Sequence, residues 1–152
     1  MTKKLIIDGL EGFRALAGKT LFKSPPIEVT TERIQAYCLS VDNREWVHWD
    51  EAASRESGLE GLIAPGLFIP SLYPQVFWDH VELINVPGII VKGIDKIRIF
   101  RPIYMGTKLT LSSALTKCEE RSKGIEVHYH VTFDEHETND ALGEATFIGR
   151  YW

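Results

Sequence analysis

Cysteine is scarce in this chain: Cys38 and Cys118 are the only two in 152 residues. Two thiols do not frame a disulfide-stapled fold. They fit a reducing compartment and read as small buried hydrophobes or idle surface thiols. Long apolar runs are missing too. No stretch approaches the roughly 18 apolar residues of a membrane span. The run Leu5-Ile6-Ile7 behind the N-terminal lysines is too short for a signal-peptide core. Positive charge is not in excess, since 17 Lys and Arg stand against 21 Asp and Glu for a formal charge of −4. Neither nucleic acid nor an anionic membrane is therefore expected as a partner. Repeats, low-complexity tracts and linkers are absent. What remains is the expectation of one cytoplasmic, soluble domain over residues 1–152, long enough to bury about two-thirds of its unfolded surface.

Patterning then orders the chain. Residues 8–18 read as a short amphipathic helix with Leu10, Phe13, Leu16 and Ala17 on one side and Gly18 as its stop. Short strands are expected at Thr20-Leu21-Phe22 and from Ile27. Thr30 or Thr31 can cap a helix whose apolar positions Ile34, Tyr37, Cys38 and Val41 follow the i, i+3, i+4, i+7 rule. Asp42 to Trp49 reads as a loop, and Asp50 as the cap of a short helix through Glu56. From Gly66 to about His80 the chain is apolar nearly all round, which predicts a buried helix kinked at Pro74.

The second half is strand-like. Ile97 and Ile99 alternate with charge, Leu109, Leu111 and Leu115 hold odd positions, and Ile125, Val127, Tyr129, Val131 and Phe133 form an unbroken alternation. A last strand over 142–151 puts Ala145, Phe147 and Tyr151 on one face, and Gly106, Lys123-Gly124 and Asn139-Asp140 supply turns. One buried helix followed by at least four antiparallel strands predicts an α+β domain whose sheet curls around the helix.

Three segments carry chemistry. They are the run Tyr37 to Asp50 containing Asp42-Asn43-Arg44-Glu45-Trp46-Val47-His48, the turn Ile63-Ala64-Pro65-Gly66, and the run Gly93 to Gly106 containing Lys96-Ile97-Arg98-Ile99-Phe100-Arg101-Pro102. In this order they resemble the MaoC-like dehydratase and (R)-specific enoyl-CoA hydratase family, in the branch similar to nodulation protein N. There a Gly-Asp-x-x-x-x-His loop precedes an Ile-Ala-His-Gly turn and a Gly-Leu-x-Lys-Val-Arg-Phe-x-x-Pro strand. The resemblance covers roughly Leu10 to the C-terminus. It implies a hotdog fold, a curved antiparallel sheet wrapped around a long central helix, and a homodimer joined sheet to sheet. It also implies reversible syn addition of water to a trans-2-enoyl thioester. The acyl group would be carried by coenzyme A or an acyl carrier protein, with no further cofactor.

On that resemblance His48 takes the histidine role, and Gly66 donates its N–H to the thioester carbonyl, where enolate charge develops. Three positions depart from the pattern. Asn43 stands where the family has its aspartate, with Asp42 in place of the preceding glycine, and Pro65 replaces the histidine of the turn. Asparagine cannot accept a proton, though it can orient a water. Three accounts stay open. Asp42 shifts into the role; Glu45 or another carboxylate compensates, or His48 acts alone with Asn43 positioning substrate; or the site binds a thioester without hydrating it. A hotdog thioesterase is a further alternative.

Around this centre Trp46 and Trp49 are candidates for the wall of an acyl pocket, with Phe68 and Ser71 lining or supporting it. Each has plain packing as its competing reading. Arg98, with Lys92, Lys96 and Arg101, is a candidate for the phosphates of coenzyme A or phosphopantetheine, against a solvated strand face. His128 and His130 project from one strand, but no third ligand is specified and no metal site is expected.

Overall fold

Alternating apolar residues build the main sheet, and two consecutive hairpins form its centre. A computed structural model describes residues 3–152. Its strands and helices, in chain order, are β1 (Leu5–Asp8), α1 (Gly9–Ala15), β2 (Lys19–Lys23), β3 (Ile27–Glu28), α2 (Thr31–Ser40), α3 (Glu51–Glu56), α4 (Phe68–Ser71), α5 (Tyr73–His80), β4 (Val81–Ile84), β5 (Ile89–Ile99), β6 (Lys108–Glu120), β7 (Ile125–Glu135) and β8 (Ala141–Tyr151). A single 3₁₀ turn, Trp46–His48, lies between α2 and α3. The main sheet is antiparallel in the order β2-β6-β7-β8-β5, with β3 pairing further along β6. Register shifts in β5 and β6 add local twist and let the sheet curve.

The concave face of that sheet holds the core. Leu111, Leu115, Val127, Tyr129, Val131, Phe133, Ala145 and Phe147 are all buried, as their odd-numbered spacing predicts. Against them pack Phe68, Ile69, Leu72, Tyr73, Val76 and Phe77 of α4 and α5. The Tyr73 and Ser113 hydroxyls pair at 2.9 Å, and the Tyr129 hydroxyl donates to that of Tyr151 at 2.7 Å. Burial pushes all three phenols up, so each stays a neutral hydroxyl.

Four features differ from the sequence reading. The central helix is two segments that break at Leu72, two residues before Pro74. Proline thereby falls in the first turn of α5, where its missing N–H is harmless. β5 starts at Ile89, eight residues ahead of the visible alternation, because Ile89, Ile90, Val91 and Ile94 stay exposed and show no period. β1 and β4 form a separate parallel pair, with Leu5 opposite Val81, that short runs did not reveal. Val41 lies past the end of α2 and is 54% exposed instead of completing its apolar face.

Glu126 alternates with the core residues of β7, and it too is buried. Lys92 donates to it at 2.6 Å and Arg121 at 2.9 Å, while the His128 ring lies 3.2 Å away. Glu119, the partner of Lys117 and Arg121, completes the cluster. The hydrogen bond from Lys92 is the main cause that holds the Glu126 carboxyl down at about 2, with His128 and Arg121 adding to it. A depressed carboxyl contributes stability that is complete above its unfolded value near 4.5 and lost as pH falls through about 2. Glu126→Gln should therefore melt below wild type at neutral pH. Its melting temperature should also vary less than that of wild type between pH 4.5 and 2, as followed by circular dichroism.

Candidate active site

The loop between α2 and α3 is built to present one imidazole. Thr30 caps α2 by accepting from the Arg33 N–H, and two residues past the helix end Asp42 takes a left-handed φ of 53°. Asn43 then anchors the turn three ways. Its N–H donates to the Cys38 carbonyl at 2.9 Å, its carbonyl accepts from the Trp49 indole at 3.1 Å, and its side-chain oxygen accepts from the Glu45 N–H at 3.0 Å. That last bond is an Asx-turn. The 3₁₀ turn follows, and Asp50 caps α3 through the Ala53 N–H.

His48 is 3% exposed at the end of this turn. Its Nδ1 lies 2.7 Å from the Ile63 carbonyl, which can only accept, so Nδ1 carries the proton. Nε2 is then the atom free to take or give one. It faces Glu45 Oε2 at 3.4 Å. The Ile63 N–H in turn donates to the Val47 carbonyl at 3.1 Å, so the histidine loop and the Ile63-Ala64-Pro65-Gly66 turn hold each other twice. The Ala64 N–H donates to the Ile103 carbonyl and fixes that turn to the chain beyond β5.

These two loops enclose a cavity of about 580 Å³, lined among others by Asn43, Glu45, His48 and Gly66, with Tyr37 and Leu67 as apolar wall. That volume suits a drug-sized ligand. A second, apolar cavity behind α5 holds about 50 Å³, too little for an acyl chain. Gly66 opens directly on the larger one, and its N–H meets no acceptor among the described residues. The fold itself does not demand glycine there. A methyl built at Gly66 would meet only Ile99, at an ordinary 3.7 Å.

A family model described as "FAS1-like, dehydratase domain region" matches residues 15–145. The chain belongs to this dehydratase-domain family. Over 146 residues, 91% of the chain and 84% of the relative, it is 26% identical to the mitochondrial 3-hydroxyacyl-[acyl-carrier-protein] dehydratase of Arabidopsis thaliana. The MaoC-like dehydratase from Rhodospirillum rubrum superposes with a TM-score of 0.67 at 19% identity, covering 89% of this chain and 92% of that one. The HadBC 3R-hydroxyacyl-ACP dehydratase complex from Mycobacterium tuberculosis gives 0.75 at 20% identity, covering 90% and 97%. The expected hotdog fold is therefore the fold of this dehydratase domain.

In this dehydratase domain the sequence-selected residues divide by position. His48, Asn43 and Gly66 line one cavity; Asp42 does not, and it sits exposed on its left-handed turn. Trp46 is 47% exposed and does not line the cavity, while Trp49 packs against the core. Phe68 is buried edge-on against Tyr37, and the Ser71 hydroxyl is spent on the Phe68 carbonyl. Arg98 is exposed on β5 and forms no ion pair among the described residues, whereas Lys92 and Arg101 pair with Glu126 and Glu135. His128 and His130 each face a carboxylate, Glu126 and Glu144. Glu119, Glu126 and His128 lie together, but Lys92 and Arg121 already neutralise that group. The residue that sequence reasoning missed is Ile63. It acts through its carbonyl, and a main-chain acceptor leaves no side-chain signal.

Gly66→Ala should fold as wild type and melt within about 2 °C of it, because the methyl has room. It should nonetheless weaken binding of an acyl-CoA at least about tenfold, by intruding where a ligand carbonyl must approach the N–H. Calorimetric titration with butyryl-CoA beside a thermal melt separates the two effects.

Proposed function

We propose that the protein hydrates trans-2-enoyl thioesters and, in reverse, dehydrates 3-hydroxyacyl thioesters. The observation that carries this reading is the meeting of His48 Nε2 and the unengaged Gly66 N–H in one cavity. An N–H aimed at the thioester carbonyl stabilises the enolate that forms as the alkene is attacked, and an imidazole with one exchangeable nitrogen moves the proton. Coenzyme A or phosphopantetheine enters as part of the substrate, and the chemistry needs no other cofactor. The Arabidopsis relative, named for an acyl-carrier-protein substrate, supports a thioester of this class.

A non-catalytic acyl-thioester binder is the second reading, and Asn43 is what favours it. Its side-chain oxygen is committed to the Glu45 N–H, so no proton acceptor stands where the family places one. Loss of crotonyl-CoA absorbance decides between the two. Turnover by wild type that falls about 10²–10⁴-fold in His48→Ala supports hydration. Binding of butyryl-CoA without turnover would favour the binder, and release of free thiol from the substrate would favour a thioesterase.

Two chains of this protein pair, in our reading, along β5. That strand ends the main sheet, and Ile89, Ile90, Val91 and Ile94 stay exposed on it. An unpaired edge bearing apolar side chains is a template for a second copy. The HadBC neighbour is itself a complex. Sedimentation equilibrium should give a dimer for wild type and a monomer for Ile90→Lys/Val91→Lys. No helix among the described residues is long and apolar enough to cross a membrane. The two free thiols fit the cytoplasm as the compartment.

A further inference from the structure

We infer that Glu45 supplies the carboxylate of the acid–base pair, in place of the aspartate that the family pattern puts at position 43. The assignment rests on the hydration reading and adds a catalytic residue to it. Among the described residues lining the cavity, Glu45 alone brings a carboxylate. Its Oε2 lies 3.4 Å from His48 Nε2, the one imidazole nitrogen not bound to the Ile63 carbonyl. Asp42 points elsewhere, and Asn43 cannot accept a proton.

The backbone around Glu45 is fixed for this purpose. Its N–H donates to Asn43 Oδ1 and its carbonyl accepts from the His48 N–H at 3.1 Å. Asparagine at 43 is thus the positioning residue that aims position 45 at the imidazole. The side chain of Glu45 is 74% exposed at the cavity rim, so it can reach a water lying over the substrate.

The pair begins with one proton between its members, on Nε2. In hydration the Glu45 carboxylate takes a proton from water as the water oxygen bonds to C3. The C2–C3 π electrons move toward the thioester carbonyl, held by the Gly66 N–H, and Nε2 gives its proton to C2. Glu45 is left protonated and His48 neutral. Transfer of that proton across their contact restores the starting state, and one water has been added.

The test follows kcat and KM for crotonyl-CoA hydration, and butyryl-CoA affinity, in purified dimeric protein. Glu45→Gln should lower kcat about 10²–10³-fold while KM and butyryl-CoA affinity stay within about twofold. Adding Asn43→Asp to Glu45→Gln should recover at least about tenfold in kcat, since a carboxylate then stands at the cavity position where the family pattern has one. Glu45→Gln with kcat within about threefold of an active wild type overturns the Glu45 assignment alone. So does a fall in kcat matched by an equal loss of butyryl-CoA affinity. A wild type without turnover overturns the hydration reading as well, above all if Asn43→Asp alone creates activity.

Discussion

The bond from the His48 ring to the Ile63 carbonyl, 2.7 Å long and shielded from solvent, is what the candidate site depends on. It fixes the tautomer, orients the ring and joins two loops that are otherwise separate in the chain. With the return bond from the Ile63 N–H to Val47, it makes a two-point clamp. Remove it, and Gly66 and His48 lose their common wall. The remaining parts, the Asx-turn at Asn43 and the Asp50 cap, serve to deliver a histidine to that carbonyl.

Scaffold and chemistry occupy different parts of the molecule. The main sheet and α4–α5 carry most of the buried apolar side chains, and the residues lining the cavity come from outside the strands. The polar cavity groups lie on irregular backbone between residues 43 and 66. Loops carried by a rigid frame are where binding groups usually sit, because they can change without unpicking a core. Glu126, the most heavily paired carboxylate, lies on the sheet and serves stability instead.

Much of the fold was legible because burial follows period. In β7 the residues Ile125, Val127, Tyr129, Val131 and Phe133 are all buried, as their alternation predicts. Thr30 and Asp50 were legible as caps for the same reason of local chemistry. Where a pattern has no second face, reading stops. The N-terminal half of β5 is apolar on both sides, and β1 is only four residues long with a partner more than seventy residues away. The pair His48 and Gly66 came from motif order and is found at one cavity; Glu45 was one option among several until a distance singled it out. The tryptophans flanking His48 show the limit well. They are three residues apart, yet one packs inward and the other stands in solvent, which a 3₁₀ turn decides and composition does not.

His48 and Glu45 differ in their surroundings, with the ring enclosed and the carboxylate at the mouth of the cavity. In an empty cleft, bulk water screens their mutual attraction. An acyl chain lying across the opening, as proposed above, would expel that water and lower the local dielectric, so the attraction would strengthen only once a ligand is seated. The ligand is in that sense its own lid: occupancy completes the electrostatics, and a vacant molecule has little reason to react with anything else.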